Sequence, residues 1–107
     1  DFNRWRTSGR KYQRRAVPVA MLALLDPDVR SQPRLEVIRP IMLDPERVVH
    51  QGLGWFLREA WRKDPKPVEK SLLGFKDSAP RLIFQYATEK MTPEQKARFR
   101  RVKAATR

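Results

Sequence analysis

Cysteine is absent from the 107 residues, which excludes a disulfide framework and every thiolate metal site. Histidine is nearly absent, and the single imidazole of His50 leaves a histidine-based metal centre without ligands. Acidic residues are scarce, 12 against 24 Lys and Arg, so the formal charge is +12. No apolar run approaches the roughly 20 residues of a membrane span, and the opening Asp1-Phe2-Asn3 carries no mark of a secretory signal. No Asn-Gly or Asp-Gly pair closes a hairpin. The expectation is a soluble, intracellular, strongly basic protein, placed in the cytoplasm, with no metal and no cofactor. Its length fits one domain with little margin of stability.

The positive charge sits at the two ends. Residues 1–15 hold Arg4, Arg6, Arg10, Lys11, Arg14 and Arg15 against Asp1 alone. Residues 93–107 hold Lys96, Arg98, Arg100, Arg101, Lys103 and Arg107 against Glu94, as a basic capping helix or a solvated tail would. A polyanion is the partner such clusters suit, because Lys and Arg release counterions from a phosphate backbone. The first cluster is the more pointed of the two, since Trp5 and Tyr12 are interleaved with its charges.

Prolines that follow acids punctuate the chain. Asp26-Pro27, Asp44-Pro45 and Asp64-Pro65 recur after 18 and then 20 residues, and Thr92-Pro93-Glu94-Gln95 adds a capping box. Each pair is a helix-start signal. The segment 46–62 carries Val49, Leu53, Phe56 and Ala60 at helical steps, one apolar stripe. Further helices are expected over 11–25 (interrupted by Pro18), 33–43 (disturbed by Pro40), 66–75, 80–91 (capped by Asp77 or Ser78) and 93–104. Local composition at 36–43 and 82–86 also admits strands. Two helices per period of about 38–40 residues approach the lower end of HEAT-type pairs. The expected fold is therefore all-α, a HEAT-like antiparallel helix-pair solenoid forming one unit over 1–107. Residue 1 reads as falling inside a helix already under way, with Trp5 near its end and Thr7-Ser8-Gly9 closing it. Such a cut end would expose apolar surface and favour self-association.

On the helix 46–62 a second line, Gln51, Trp55, Arg58 and Arg62, steps along a flank away from the apolar stripe. A tryptophan with an arginine one turn on suits a nucleic-acid strand, the guanidinium on phosphate and the ring against sugar or base. On spacing alone the favoured reading is that Trp55 is a core residue whose indole borders a polar edge. Gly52 and Gly54 cost the helix about 1 kcal/mol each relative to Ala, a cost that fits close approach of a neighbouring helix or a ligand backbone. Glu59, with Arg62 and Lys63 at i+3 and i+4, reads as an ion-pair partner. His50 reads as a solvated or capping side chain rather than a proton shuttle.

The run His50-Gln51-Gly52-Leu53-Gly54-Trp55-Phe56-Leu57-Arg58-Glu59 resembles the Gly-Trp-x-Leu-Arg-Glu helix of the DNA alkylation repair family, the AlkD-like HEAT-repeat DNA glycosylases. Upstream, Trp5-x-x-Ser8-x-x-Lys11-Tyr12-x-Arg14-Arg15-Ala16-Val17 is similar to that family's Trp-x-x-Ser-x-x-x-Trp-x-x-Arg repeat. Downstream, residues 79–90 resemble its closing helix. The resemblance implies a curved solenoid whose basic face holds double-stranded DNA carrying alkylated bases. It further implies hydrolysis of the N-glycosidic bond of N3- or N7-alkylated purines, an activity associated with the bacterial nucleoid. An alkylated purine is cationic and leaves without a strong acid. What needs stabilising is the oxocarbenium-like sugar, by a carboxylate and electron-rich aromatic faces.

By the same resemblance Trp55 is the aromatic wall at the lesion, and Arg15 and Arg58 grip phosphate. Arg14, Lys11 and Tyr12 assist them, Tyr12 standing where many members have Trp. The family's catalytic Asp belongs to a Trp-rich motif that would precede residue 1, so no catalytic residue is assigned, and Asp1 is not given the role. The chain then reads as the DNA-gripping C-terminal half of a repair protein. A non-enzymatic helical scaffold and a general nucleic-acid-binding module, including a small RNA-binding or ribosomal protein, are the competing readings.

Overall fold

The computed structural model describes residues 4, 7–23 and 32–100. Trp5 and the Asp26-Pro27 start signal lie outside the described residues, as do the last basic residues from Arg101 on. Six α-helices follow in order among those described: α1 (Lys11–Ala23), α2 (Gln32–Ile38), α3 (Arg47–Lys63), α4 (Pro65–Gly74), α5 (Arg81–Ala87) and α6 (Pro93–Ala97). A short 3-10 turn, Arg39–Ile41, extends α2. No strand occurs among the described residues, so the strand alternatives at 36–43 and 82–86 are set aside.

The start signals mark the helices with different local chemistry. Thr92 makes the expected box: its hydroxyl accepts the Gln95 N–H, and the Gln95 side chain accepts the Thr92 N–H. Pro65 opens α4 with Asp64 at the N-cap, though without a side-chain cap bond. Asp44 does something else. Its carboxylate accepts the Glu46 N–H at 2.9 Å, turning the chain so that α3 starts at Arg47 with Glu46 as N-cap. Helix α2 tightens into the 3-10 turn where Pro40 removes a donor, which ends the helix before the predicted 43. The predicted caps Asp77 and Ser78 do not cap α5, because backbone bonds from Ser78 and Ala79 to the Phe75 carbonyl fold 75–79 into turns and leave Pro80 at the N-cap. Helix α6 also stops earlier than expected: Phe99 swings back to be buried, held by Arg81, whose guanidinium donates to the Phe99 carbonyl at 2.8 Å and lies on the Phe84 ring.

Contacts between elements alternate. Helix α3 packs most heavily on α1 and on α5, and α2 packs on α4. Helices α1, α3 and α5 run parallel: Lys11 of α1 reaches Glu46 just before α3, while Pro18 lies against Gly52 farther along. Similarly Gly54 meets Ile83 and Tyr86, and Arg58, one turn on, meets Glu89. Odd helices thus form one layer and the returning even helices the other, the alternation of a helix-pair solenoid. A short dimension of 18 Å in an envelope of 44 × 33 × 18 Å suits two such layers, helices packing at about 8–10 Å between axes.

The core lies between the layers. Val17, Ile38, Met42, Val49, Leu53, Phe56, Leu57, Ala60, Val68, Leu72, Ile83, Phe84 and Phe99 are all buried within it. The stripe Val49, Leu53, Phe56 and Ala60 faces inward as its spacing predicts.

Candidate nucleic-acid interface

Helix α3 has one side in the core, and two neighbours narrow its remaining exposed face. Gly52 is the shoulder toward α1: a Cβ placed there would lie 3.1 Å from the Arg15 Cγ and 3.3 Å from the Pro18 ring. Gly54 is the shoulder toward α5, where a Cβ would fall 2.5 Å from the Tyr86 Cβ. The glycines therefore serve close helix approach on both sides. What remains open along α3 is the line Gln51, Trp55, Arg58 and Arg62. Trp55 is 44% exposed, and the alternative that placed it in the core does not hold. The indole that does pack against the core is Trp61, whose N–H donates to Glu69 at 2.8 Å.

The basic residues of α1 divide sharply by what they touch. Arg14 is a strut: its Nε and Nη2 both donate to the Asp44 carboxylate, and its Nη1 donates to the Ser8 carbonyl at 2.8 Å. Hydrogen bonding to Asp44 raises the Arg14 pKa above its ordinary value despite partial burial. Asp44 is a hub, since its backbone carbonyl also bonds the His50 Nε2. His50 is buried rather than solvated, and it braces the turn leading into α3. Lys11 lies 3.9 Å from Glu46 and 5.7 Å from the centre of the Tyr12 ring. Tyr12 itself is largely exposed. Arg15 differs from all of these. Its stem lies over Gly52, its Nε is buried without a partner, and its side chain forms no hydrogen bond or ion pair among the described residues.

Arg58 is held by acids. Its Nε donates to Glu59 at 2.9 Å, and its Nη1 donates to Glu89 at 3.3 Å. Glu59 also pairs with Arg62 at 3.3 Å, the i,i+3 bridge its spacing predicts. On the far side of the molecule a cavity of about 370 Å³ opens between α2 and α4, lined in part by Leu35, Arg39, Lys70 and Phe75. It is built from the other helix layer. Among the described residues no group of three or more His, Cys, Asp or Glu gathers to hold a metal, and no helix is long and apolar enough to cross a membrane.

The pairing of an exposed tryptophan with a flanking arginine, on a helix notched by two glycines, is the arrangement that carried the family resemblance. Residues 1–91 match the family model described as DNA alkylation repair enzyme. The chain belongs to that family. Its role accordingly lies in DNA alkylation repair, and DNA is the substrate that role implies. No curated protein and no solved structure matches the chain.

In this DNA alkylation repair protein the segments 5–17, 50–59 and 79–90, singled out from the sequence, all fall inside the matched residues. The structure brings Arg15, Tyr12, Trp55 and Arg58 onto neighbouring odd-numbered helices, and it occupies Arg14 with Asp44. Two residues that shape the site were not anticipated. Asp44 was read as a helix cap, and nothing nearby in sequence advertises its link to Arg14. Glu89 stands 31 residues from Arg58, beyond any helical spacing rule.

Proposed function

We propose that the face formed by α1, α3 and α5 grips duplex DNA, and that the chain is the DNA-holding part of an AlkD-like glycosylase acting on N3- or N7-alkylated purines. The supporting observation is the half-exposed Trp55, set between α1, with its unpartnered Arg15, and Arg58 one turn farther along α3. Arg15 has donors free for a phosphate, and its stem is already fixed over Gly52, so little order is lost on binding. Trp55 offers an aromatic face, and an alkylated purine is a cation that such a face attracts. The same face favours the positive charge that develops on the sugar as the base departs.

The carboxylate that such chemistry calls for is assigned to none of the described residues, because Glu59 is committed to Arg58 and Arg62. A protein-binding groove is the less favoured reading. Among the described residues, the exposed large apolar groups on this face are the aromatics Tyr12 and Trp55, whereas the exposed leucines, Leu43 and Leu73, lie in the turn before α3 and on α4.

The test is equilibrium binding of a fluorescein-labelled duplex, with and without a single N7-methylguanine, at several salt concentrations. Binding that weakens with salt, and weakens further on Arg15→Gln and on Trp55→Ala, supports the proposal. Affinity indifferent to both substitutions would remove DNA from this face.

A further inference from the structure

We infer that Glu89 is a competitor for the DNA strand: it neutralises Arg58 in the free protein and must be displaced before that arginine can take a phosphate. This rests on the DNA-binding reading above and adds to it the residue that sets the affinity. The two carboxylates on Arg58 are not equivalent. Glu59 is on the same helix, adjacent in sequence, shared with Arg62, and its side chain is only 26% exposed. Glu89 comes from the turn after α5, across the α3–α5 contact, and its side chain is 51% exposed at 3.3 Å from the arginine. Glu59 is the fixed partner and Glu89 the removable one. A half-exposed ion pair in high dielectric is weak, so a phosphate can replace it.

Charge across the face points the same way. Beside Trp55 on α3, Arg58 is paired with Glu59 and Glu89 and Arg62 with Glu59, so neither guanidinium stands unmatched. On α1, Lys11 is offset by Glu46 while Arg15 is unmatched. A duplex approaching this surface is therefore drawn first to α1 and meets, on α3, an arginine already paired with an acid. A strand that does not bring a phosphate up to Arg58 leaves Glu89 in place and gains nothing there. One that does recovers a full phosphate contact. Such an arrangement penalises loosely placed DNA more than well-seated DNA, which is specificity by repulsion.

The experiment compares duplex binding by the wild type, Glu89→Gln, Arg58→Gln and the double variant across a salt series. Glu89 is exposed and outside the helices, and a thermal melt of each variant serves as the folding control. The expected result is that Glu89→Gln tightens binding about fivefold and steepens the salt dependence by about one phosphate contact. The double variant then binds like Arg58→Gln alone, because the gain acts through Arg58. Unchanged or weaker binding by Glu89→Gln overturns the inference, and so does a gain of equal size in the Arg58→Gln background, which would be a general field effect. Duplex binding by none of the four proteins overturns the DNA-binding reading itself, a result distinct from either of these.

Discussion

A methyl group on Gly54 would sit 2.5 Å from the Tyr86 Cβ and 3.0 Å from the Ile83 carbonyl oxygen. Helices α3 and α5 meet there with backbone against side-chain root, and neither atom can move without moving its helix. Gly54→Ala is therefore expected to destabilise the protein by about 1–3 kcal/mol, as overpacking does, although alanine is the better helix former. Gly74 has nothing within 4 Å and no unusual backbone angle. The substitution Gly74→Ala is expected to be neutral or to stabilise by up to about 1 kcal/mol. Urea titrations of the two variants give the comparison, and a Gly54→Ala protein as stable as wild type would refute the close approach.

The exposed indole and its buried neighbour separate binding from folding. Trp55→Ala is expected to weaken DNA binding while leaving stability nearly unchanged, since a half-exposed side chain loses little contact. Phe56→Ala, one residue on and fully buried, is expected to cost about 3–5 kcal/mol. Thermal melts and binding titrations on both proteins should show effects that do not overlap. A large drop in melting temperature for Trp55→Ala would return that ring to the core.

Adjacent arginines on α1 are expected to fail in opposite ways. Arg14→Gln leaves Asp44 without its partner at a site where both side chains are largely buried, and is expected to cost about 1–3 kcal/mol of stability. Arg15→Gln breaks no bond and is expected to leave stability intact while lowering the salt dependence of DNA binding by about one contact. If Arg15→Gln destabilises and Arg14→Gln only weakens binding, the two roles are reversed.

Acid should weaken the joint between α3, α4 and the segment after α6. Glu69 accepts from Trp61 at 2.8 Å and from Arg98 at 2.7 Å. These bonds, that from Trp61 first, hold its carboxyl below the ordinary carboxylate range. A depressed folded-state pKa contributes stability that is present above the unfolded value of about 4.3 and is lost as pH falls through the folded one. Wild type should therefore exceed Glu69→Gln in stability at neutral pH, and the gap should close as pH drops below about 4. Denaturant midpoints of both proteins over that range decide it. A gap that is independent of pH would show that the charge of Glu69 is not what stabilises the joint.

Much of the helical layout was legible because its signals are local. Proline after an acid or threonine, and apolar residues at steps of three and four, are read over a few positions. The capping box at Thr92 and the stripe along α3 came out as written. The helix ends were less legible where tertiary contacts set them: Phe99 leaves the line of α6 because a buried place and the Arg81 guanidinium await it. At the site, spacing pointed Trp55 toward the core, and the structure corrects that, because its exposure depends on how far α1 and α5 close over α3. The glycines announced close approach but not by what. The partners of the arginines were hidden altogether, since Arg14 to Asp44 and Arg58 to Glu89 span 30 and 31 residues.

The three parallel helices also fix a spacing. Their separation at the face proposed to hold DNA is set at two points, Gly52 and Gly54, each of which omits a single carbon. The spacing of the helices is thus encoded in what the chain leaves out: a side chain at Gly54 would push α5 off α3, and one at Gly52 would press on the Arg15 stem and Pro18. Selection for fit to a duplex, acting on this molecule, would register first as intolerance of bulk at positions that never touch the nucleic acid.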